Sequence, residues 1–554
     1  MIVDYLEDSA AAESAADVCI VGAGAAGIAM ARSFIGTSLR VCLLESGGLS
    51  GEQKSQGLYR GQSVGALPLD PATSRMRAFG GSCNLWGGGC MPLNSLDLRA
   101  RDWVAHSGWP ITDDDLRPYY PRAMEVCGLP WRPIDGSGNG FDAAPGFPPI
   151  PFDQGKLSNQ IFMRTPLLFG RDYLAEIERA PNILVLLHAN LLELNVTSDG
   201  QAIQDATIGS LTGKRSVVRA RHFVLACGGI ENARMLLLSD KVLPGGPGNS
   251  HDLVGRYFMD HPSGKLGTVV GGIPEQLARP YDRERAKGTA VFFPEICLSE
   301  QAQQTHGLLN GRVHPFVAEG PVPRGLAALR GLRKGRRVTS PDEGSRLEAE
   351  LCAAMRNSAL PESRAATGST IGLLLQLALG IGDVARALAR KRAGKPAVHG
   401  SHLVLVGYFE QAPNRDSRVK LDHELDALGQ RKVCVDWHLN ALDRHTYRIA
   451  ARLFGQELAK ANGGRFEPEP WVAARDETPP RVEGTGHHMG TTRMAEDARH
   501  GVVDRDCRVH GMDNLHIAGS SVFPTGGWAF PTFTIIALSL RLAERLQVLC
   551  AMPL

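Results

Sequence analysis

The sequence predicts an α/β protein in which a Rossmann-like parallel sheet cradles a dinucleotide and a second, α+β part lies over it. Three stretches carry this expectation: the glycine-punctuated run that begins at Asp17, the run HFVLACGG from His222, and the late run NLHIAGSS that ends in Gly519 and Ser520. Each is a short apolar segment running into small residues. That is the pattern of a buried parallel strand whose carboxyl end meets a ligand.

The first stretch, DVCIVGAGAAGIAMARSFIGTSLRVCLLESGG, reads as strand, glycine turn, helix and second strand. Gly22 permits the tight turn, Gly24 lets a pyrophosphate approach the backbone, and Gly27 lets the helix pack on the strand. The phosphates then meet the positive N-terminus of the helix. Glu45, followed by Ser46, ends the second strand, where a carboxylate accepts hydrogen bonds from both hydroxyls of an adenosine ribose and disfavours a 2′-phosphate. The unit does not separate NAD from FAD, since both present an ADP half.

The chain has 554 residues, 43% of them hydrophobic, which favours two intimately joined domains over a single core. Sixty Lys and Arg against 58 Asp and Glu leave a formal charge of +2, so no nucleic-acid partner is expected. The acidic N-terminus lacks the basic and apolar regions of a secretory signal, and a cytoplasmic location is expected. Eleven Cys without a CxxC pair argue against a disulfide framework and against a metal cage. The longest uncharged apolar stretch, Ile371 to Gly382, falls short of the about 18 residues that span a bilayer.

Four further segments sharpen the reading: MRAFGGSCNLWGGGCMP (Met76 to Pro92), HFVLACGGIENARMLLLS (His222 to Ser239), VGRYFMDHP (Val254 to Pro262), and the long C-terminal pattern from HHMGTTRM at His487 to Leu546. Together they resemble the glucose-methanol-choline (GMC) family of FAD-dependent oxidoreductases. Their wording is most similar to the branch of sugar dehydrogenases, pyranose oxidase and the dehydrogenases of aminoglycoside biosynthesis. The resemblance implies an FAD-binding domain assembled from discontinuous segments, residues 15–130, 215–270 and 480–554. Residues 131–214 and 271–479 would then form an α+β substrate domain whose sheet caps the flavin. It also implies that Gly81, Ser82, Asn84 and Leu85 run beside the flavin. So would Gly519 and Ser520, with Pro531 and Thr532 at the start of the last helix. Leu85 stands where some relatives carry a His joined covalently to the flavin, so the FAD is expected to be non-covalent. Cys83 and Cys90 are read as packing residues.

The same resemblance implies oxidation of an alcohol group of a sugar, polyol or related hydroxyl compound, by hydride transfer to flavin N5. A neutral imidazole suits removal of the hydroxyl proton near pH 7. His487, three residues before Gly490, falls at the family's catalytic position, and its neighbour His488 is expected to line or support the site. The family commonly places Asn or His where this chain has Phe530, so Phe530, with Trp528 nearby, is expected to line the substrate. The lost polar partner keeps an FAD-containing non-redox lyase of the same fold as the alternative. The electron acceptor is O2 or a quinone or other redox carrier. His261 is read as structural. From Arg324 to Lys395 runs a helical, Arg-rich insertion, read chiefly as a solvated face, with contact to a membrane surface as the other reading.

Overall fold

The computed structural model describes residues 1–7, 15–67, 69–131, 149–282, 291–336, 342–355, 358–360, 365–392, 397–475 and 478–552. Lys395, where the insertion was expected to end, lies outside them.

Six parallel strands form the first sheet, in the order Ile2–Asp4, Ile183–Leu187, Val41–Leu44, Ala16–Val21, Ala220–Leu225 and Leu515–Ile517. The central strands Val41–Leu44 and Ala16–Val21 are short, mostly apolar runs because both faces of the sheet are covered there. The helix Ala25–Phe34 follows the first glycine turn and packs on the last helix, Thr532–Ala551. Both helices bury an apolar stripe in one core with the strands.

Seven antiparallel strands form the second large sheet, in the order Arg465–Pro468, Ser263–Val270, Gly400–Phe409, Gly311–Glu319, Val291–Leu298, Leu157–Arg164 and Gly89–Cys90. One face carries Leu266, Val269, Leu403 and Leu405 against Tyr447, Ala450, Phe454 and Leu458 of the 22-residue helix Ala441–Asn462. The opposite face, with Val404, Val406 and Tyr408, turns toward Phe530. Side chains alternate across the strand, so consecutive residues of Gly400–Phe409 serve both layers.

The expected domain borders need correction at three places. Ile183–Leu187 and Ile2–Asp4 belong to the parallel sheet, although 131–214 was assigned to the other domain and residues before 15 to neither. ILVLL is a continuous apolar run, as suits a strand covered on both faces. Ser263–Val270, assigned to the dinucleotide domain, pairs instead with Gly400–Phe409 in the antiparallel sheet, because its apolar residues face the long helix. The insertion is helical as expected, with helices Arg324–Arg336, Glu343–Ala354, Thr370–Leu379 and Ile381–Arg392.

Candidate functional site

A cavity of about 400 Å³ runs from the carboxyl edge of the parallel sheet to the inner face of the antiparallel one. At its first end the three glycines do different things. Gly22 has φ +104°, and a Cβ there would stand 2.7 Å from the carbonyl oxygen of Ala226. Gly24 has open space where a Cβ would be, and it lines the cavity. Gly27 lies off the cavity, and its Cβ would stand 1.9 Å from the carbonyl oxygen of Gly22, so it serves close helix–strand packing. No side chain caps the helix that follows and no acid sits in its first turn, so its N–H groups are left for an anion.

Glu45 is buried beside this turn and accepts N–H hydrogen bonds from Ala23 (3.1 Å) and Gly47 (2.8 Å). Burial raises its pKa, against the lowering effect of those amides. A carboxylate oriented by two amides with its remaining lone pairs on the cavity wall fits a ribose diol. Ser46, Gly81, Ser82, Leu85, Gly519, Ser520, Pro531 and Thr532 share the lining. Gly81 lies against Gly24, with its Cβ position 3.1 Å from the Gly24 Cα, which presses the second glycine loop onto the first turn. The cradle therefore fits a dinucleotide. Asn84 does not reach the lining: its amide donates to the Phe79 carbonyl (2.8 Å) and its oxygen accepts from the Gly170 N–H (3.0 Å). It holds the loop's shape instead of touching a cofactor.

Sequence reasoning missed the charged wall of this end. Glu231 is buried among Arg75 (2.8 Å), Arg234 (3.2 Å) and Arg77 (3.5 Å). Burial alone would raise its pKa, but the three guanidinium groups bring it down to about 2. The guanidinium groups of Arg75 and Arg77 also lie over the Tyr59 ring, 3.8 and 4.0 Å from its centroid. The usable signal was RMRAFGG, where Arg75 and Arg77 flank Met76 just ahead of the glycine loop.

At the other end of the cavity stands His487, half-buried on the lining. Its backbone N–H donates to Asp260 (2.9 Å), which also accepts from the Gly486 N–H (3.0 Å), so one buried carboxylate fixes the loop. Its Nδ1 lies 2.8 Å from the Thr485 hydroxyl and 3.2 Å from Nδ1 of His261. His261, read from sequence as structural, thus touches the expected base directly. Burial, with His261, Arg312 and His488 nearby, holds His487 well below the ordinary histidine range. Burial also holds His488 down at about 3, with Arg75 contributing. His488 lines the same cavity but is more buried, with its ring 5.6 Å from Phe258.

Phe530 lines the cavity, its ring centroid 4.6 Å from that of His487. Behind it the buried guanidinium of Arg312 lies 4.6 Å from the Phe530 ring and 4.0 Å from that of Tyr408, and bonds Glu295 at 2.5 Å. Trp528, expected at the substrate, is 2% exposed and absent from the lining. The Gly526–Gly527 turn, with Gly527 at φ +57°, sends it into the main core.

A family model described as GMC oxidoreductase matches residues 413–539. The chain is 24% identical to 6'''-hydroxyparomomycin C oxidase of Streptomyces lividus, covering 95% of this chain and 90% of that protein. It is also 24% identical to 2-methyl-1,2-propanediol dehydrogenase of Mycolicibacterium austroafricanum, covering 95% and 94%. Among solved structures it resembles pyridoxine 4-oxidase from Mesorbium loti, with a TM-score of 0.53 and 17% identity over 96% of this chain and 99% of that one. It likewise resembles formate oxidase, at 0.54 and 15% over 97% and 98%. Residues 413–539 thus carry the GMC oxidoreductase pattern, and over nearly its full length the chain is similar to the oxidase and the dehydrogenase named above and shares the fold of the two solved structures.

Proposed function

We propose that this protein is an FAD-dependent enzyme that oxidises an alcohol group of a sugar, polyol or related hydroxyl compound, with His487 as general base. The Gly24 turn, Glu45 and the start of the last helix would hold FAD, which would supply the two-electron acceptor for the carbinol hydride. The observation that carries the reading is the bonding of His487, which leaves one ring nitrogen, Nε2, for the cavity. That nitrogen takes the hydroxyl proton as the carbon–oxygen bond gains its second order, and the product is a carbonyl compound. Desolvation keeps the imidazole neutral and so ready to accept. The Phe530 ring keeps water off the reacting side and presents an apolar wall to the substrate.

The named activities of the two curated relatives, an oxidase and a dehydrogenase, support alcohol chemistry. Leu85 on the lining offers no nucleophile and burial pushes the Cys83 thiol far up, which supports non-covalent FAD. Anaerobic addition of candidate sugars, diols and aminoglycosides to the yellow protein tests the proposal: the true substrate bleaches the flavin. Rates of return of the colour with O2 and with a soluble quinone then assign the acceptor. Phe530 in place of a polar partner favours a second reading, a lyase that retains FAD; cleavage of substrate with no bleaching would establish it instead.

A further inference from the structure

The helices Thr370–Leu379 and Ile381–Arg392 turn their apolar stripes outward. Ile371, Leu374, Leu375, Ala378 and Leu379 recur at the spacing of one helical face, and all are exposed, Ile371 at 75% and Leu379 at 84%. Ile381, Ala385 and Leu388 continue the face on the next helix, Ile381 at 70%. The inward positions are the small or single ones, Leu373 and Ala387. A soluble helix has the opposite arrangement, and single exposed leucines elsewhere do not add up to such a patch. Exposures this high mean side chains that stand proud of the surface, and they suit a fluid apolar phase better than a fitted protein groove.

The charge around the patch selects the phase. Residues 324–395 contain fourteen Lys and Arg against six Asp and Glu, a local +8 in a chain whose total is +2. Arg386, Lys391 and Arg392 are exposed on the second helix, beside and beyond its apolar stripe, and Asp383, the one acid of the pair, bonds Arg386 at 2.6 Å. Long basic side chains at the margin of an apolar stripe reach lipid phosphates while their stems stay in the acyl boundary. We propose that this helix pair docks the protein in the plane of an anionic lipid bilayer. The pair lies on the surface and does not cross it. The helices meet at a 71° bend, charges interrupt the second, and the inner sides pack on the helix Arg324–Arg336. The same insertion walls the cavity, since Leu347 and Leu351 pack on Met76, Ala78 and Leu85, and Met355 reaches the lining. This inference goes beyond the proposed reaction and is independent of it.

Flotation of the full-length, flavin-loaded protein with vesicles of phosphatidylcholine, alone or mixed with phosphatidylglycerol, tests it. The wild type should bind the phosphatidylglycerol vesicles, more weakly as salt rises, and bind phosphatidylcholine alone far less. The double variant L375E/L379E should lose about tenfold or more in vesicle affinity, and K391E/R392E should lose most of the preference for phosphatidylglycerol. These positions are exposed, so the thermal midpoint and flavin content of both variants should stay at wild-type values. Three results would overturn the proposal: no binding of wild type to phosphatidylglycerol vesicles, equal binding by L375E/L379E, or a wild-type dimer in solution that L375E/L379E dissociates. The last would make the face an interface between copies.

Discussion

Nδ1 of His261 lies 3.2 Å from Nδ1 of His487, and the other nitrogen of His261 faces the carbonyl oxygen of Gly526 at 3.3 Å. A carbonyl only accepts, so Nε2 of His261 carries the proton and its Nδ1 offers a lone pair; burial holds this imidazole neutral, its pKa lowered to about 4. The proton between the two rings therefore belongs to Nδ1 of His487. Thr485 agrees, because its hydroxyl donates to the His261 carbonyl (3.0 Å) and can accept from His487 (2.8 Å). The lone pair of His487 is thus placed on Nε2, where a base needs it.

Replacing Thr485 by Val removes one acceptor of that proton and should slow flavin reduction by about 10- to 100-fold, with flavin content unchanged. Thr485→Ser should retain most of the rate. His261→Phe should act in the same direction, and the double variant with Thr485→Val should cost less than the product of the two single effects. Stopped-flow reduction of the four proteins measures this; additive effects would mean the two groups do not hold a common proton.

His487→Ala should slow flavin reduction by about 10²- to 10⁴-fold, and His488→Ala by less. The acid limb follows from the direction of the shift. A base at the ordinary value would lose half its rate near pH 6.5, but His487 is held well below that. The rate constant should therefore stay level from pH 8 through 6.5 and fall only in more acidic solution. A half-point near 6.5 in anaerobic reduction would show that another group supplies the base.

Phe530→Ala should act on both binding and stability. The ring covers Arg312 on one side and faces the cavity on the other. Its loss should weaken substrate binding by about 1–3 kcal/mol and lower the unfolding free energy by a similar amount. Steady-state KM and the urea midpoint report the two separately; an unchanged KM with a lowered midpoint would assign Phe530 to packing alone.

His516 is 1% exposed, and neither ring nitrogen has a partner among the described residues; burial holds its pKa down at about 3. In the unfolded chain the same group binds a proton below about pH 6.5. The unfolded state therefore holds more protons than the folded one between those values, and stability attributable to this residue falls as pH falls. His516→Phe should stabilise the protein, and its advantage over wild type should widen by about 1.4 kcal/mol per pH unit below about 6. Urea unfolding of both proteins at two pH values checks the sign. The wild-type curve alone would not, because burial raises Asp97 and Asp443 to about 7 and these groups act in the opposite sense.

The sequence by itself determined what depends on local pattern. The Gly22–Gly24–Gly27 turn, Glu45 at the end of the next strand and the family wording around His487 are each contiguous, and each residue type there has one physical use. The parallel sheet was legible through runs such as Ala16–Val21, and the place of His487 on the cavity through its distance to Gly490. Tertiary structure decided what depends on residues far apart in the chain. Ile183–Leu187 joins the first sheet, and Arg75, Arg77 and Arg234 converge on Glu231, because the sheet order brings distant strands and helices together. The roles of His261 and Thr485 are invisible in MDHP and GTGHH, since a tautomer is set by which acceptor lies across the space, not along the backbone. Trp528 and Asn84 were misplaced for the same reason: their residue types suit a site, but the turns that carry them point inward, where burial and the hydrogen bonds of the core take precedence.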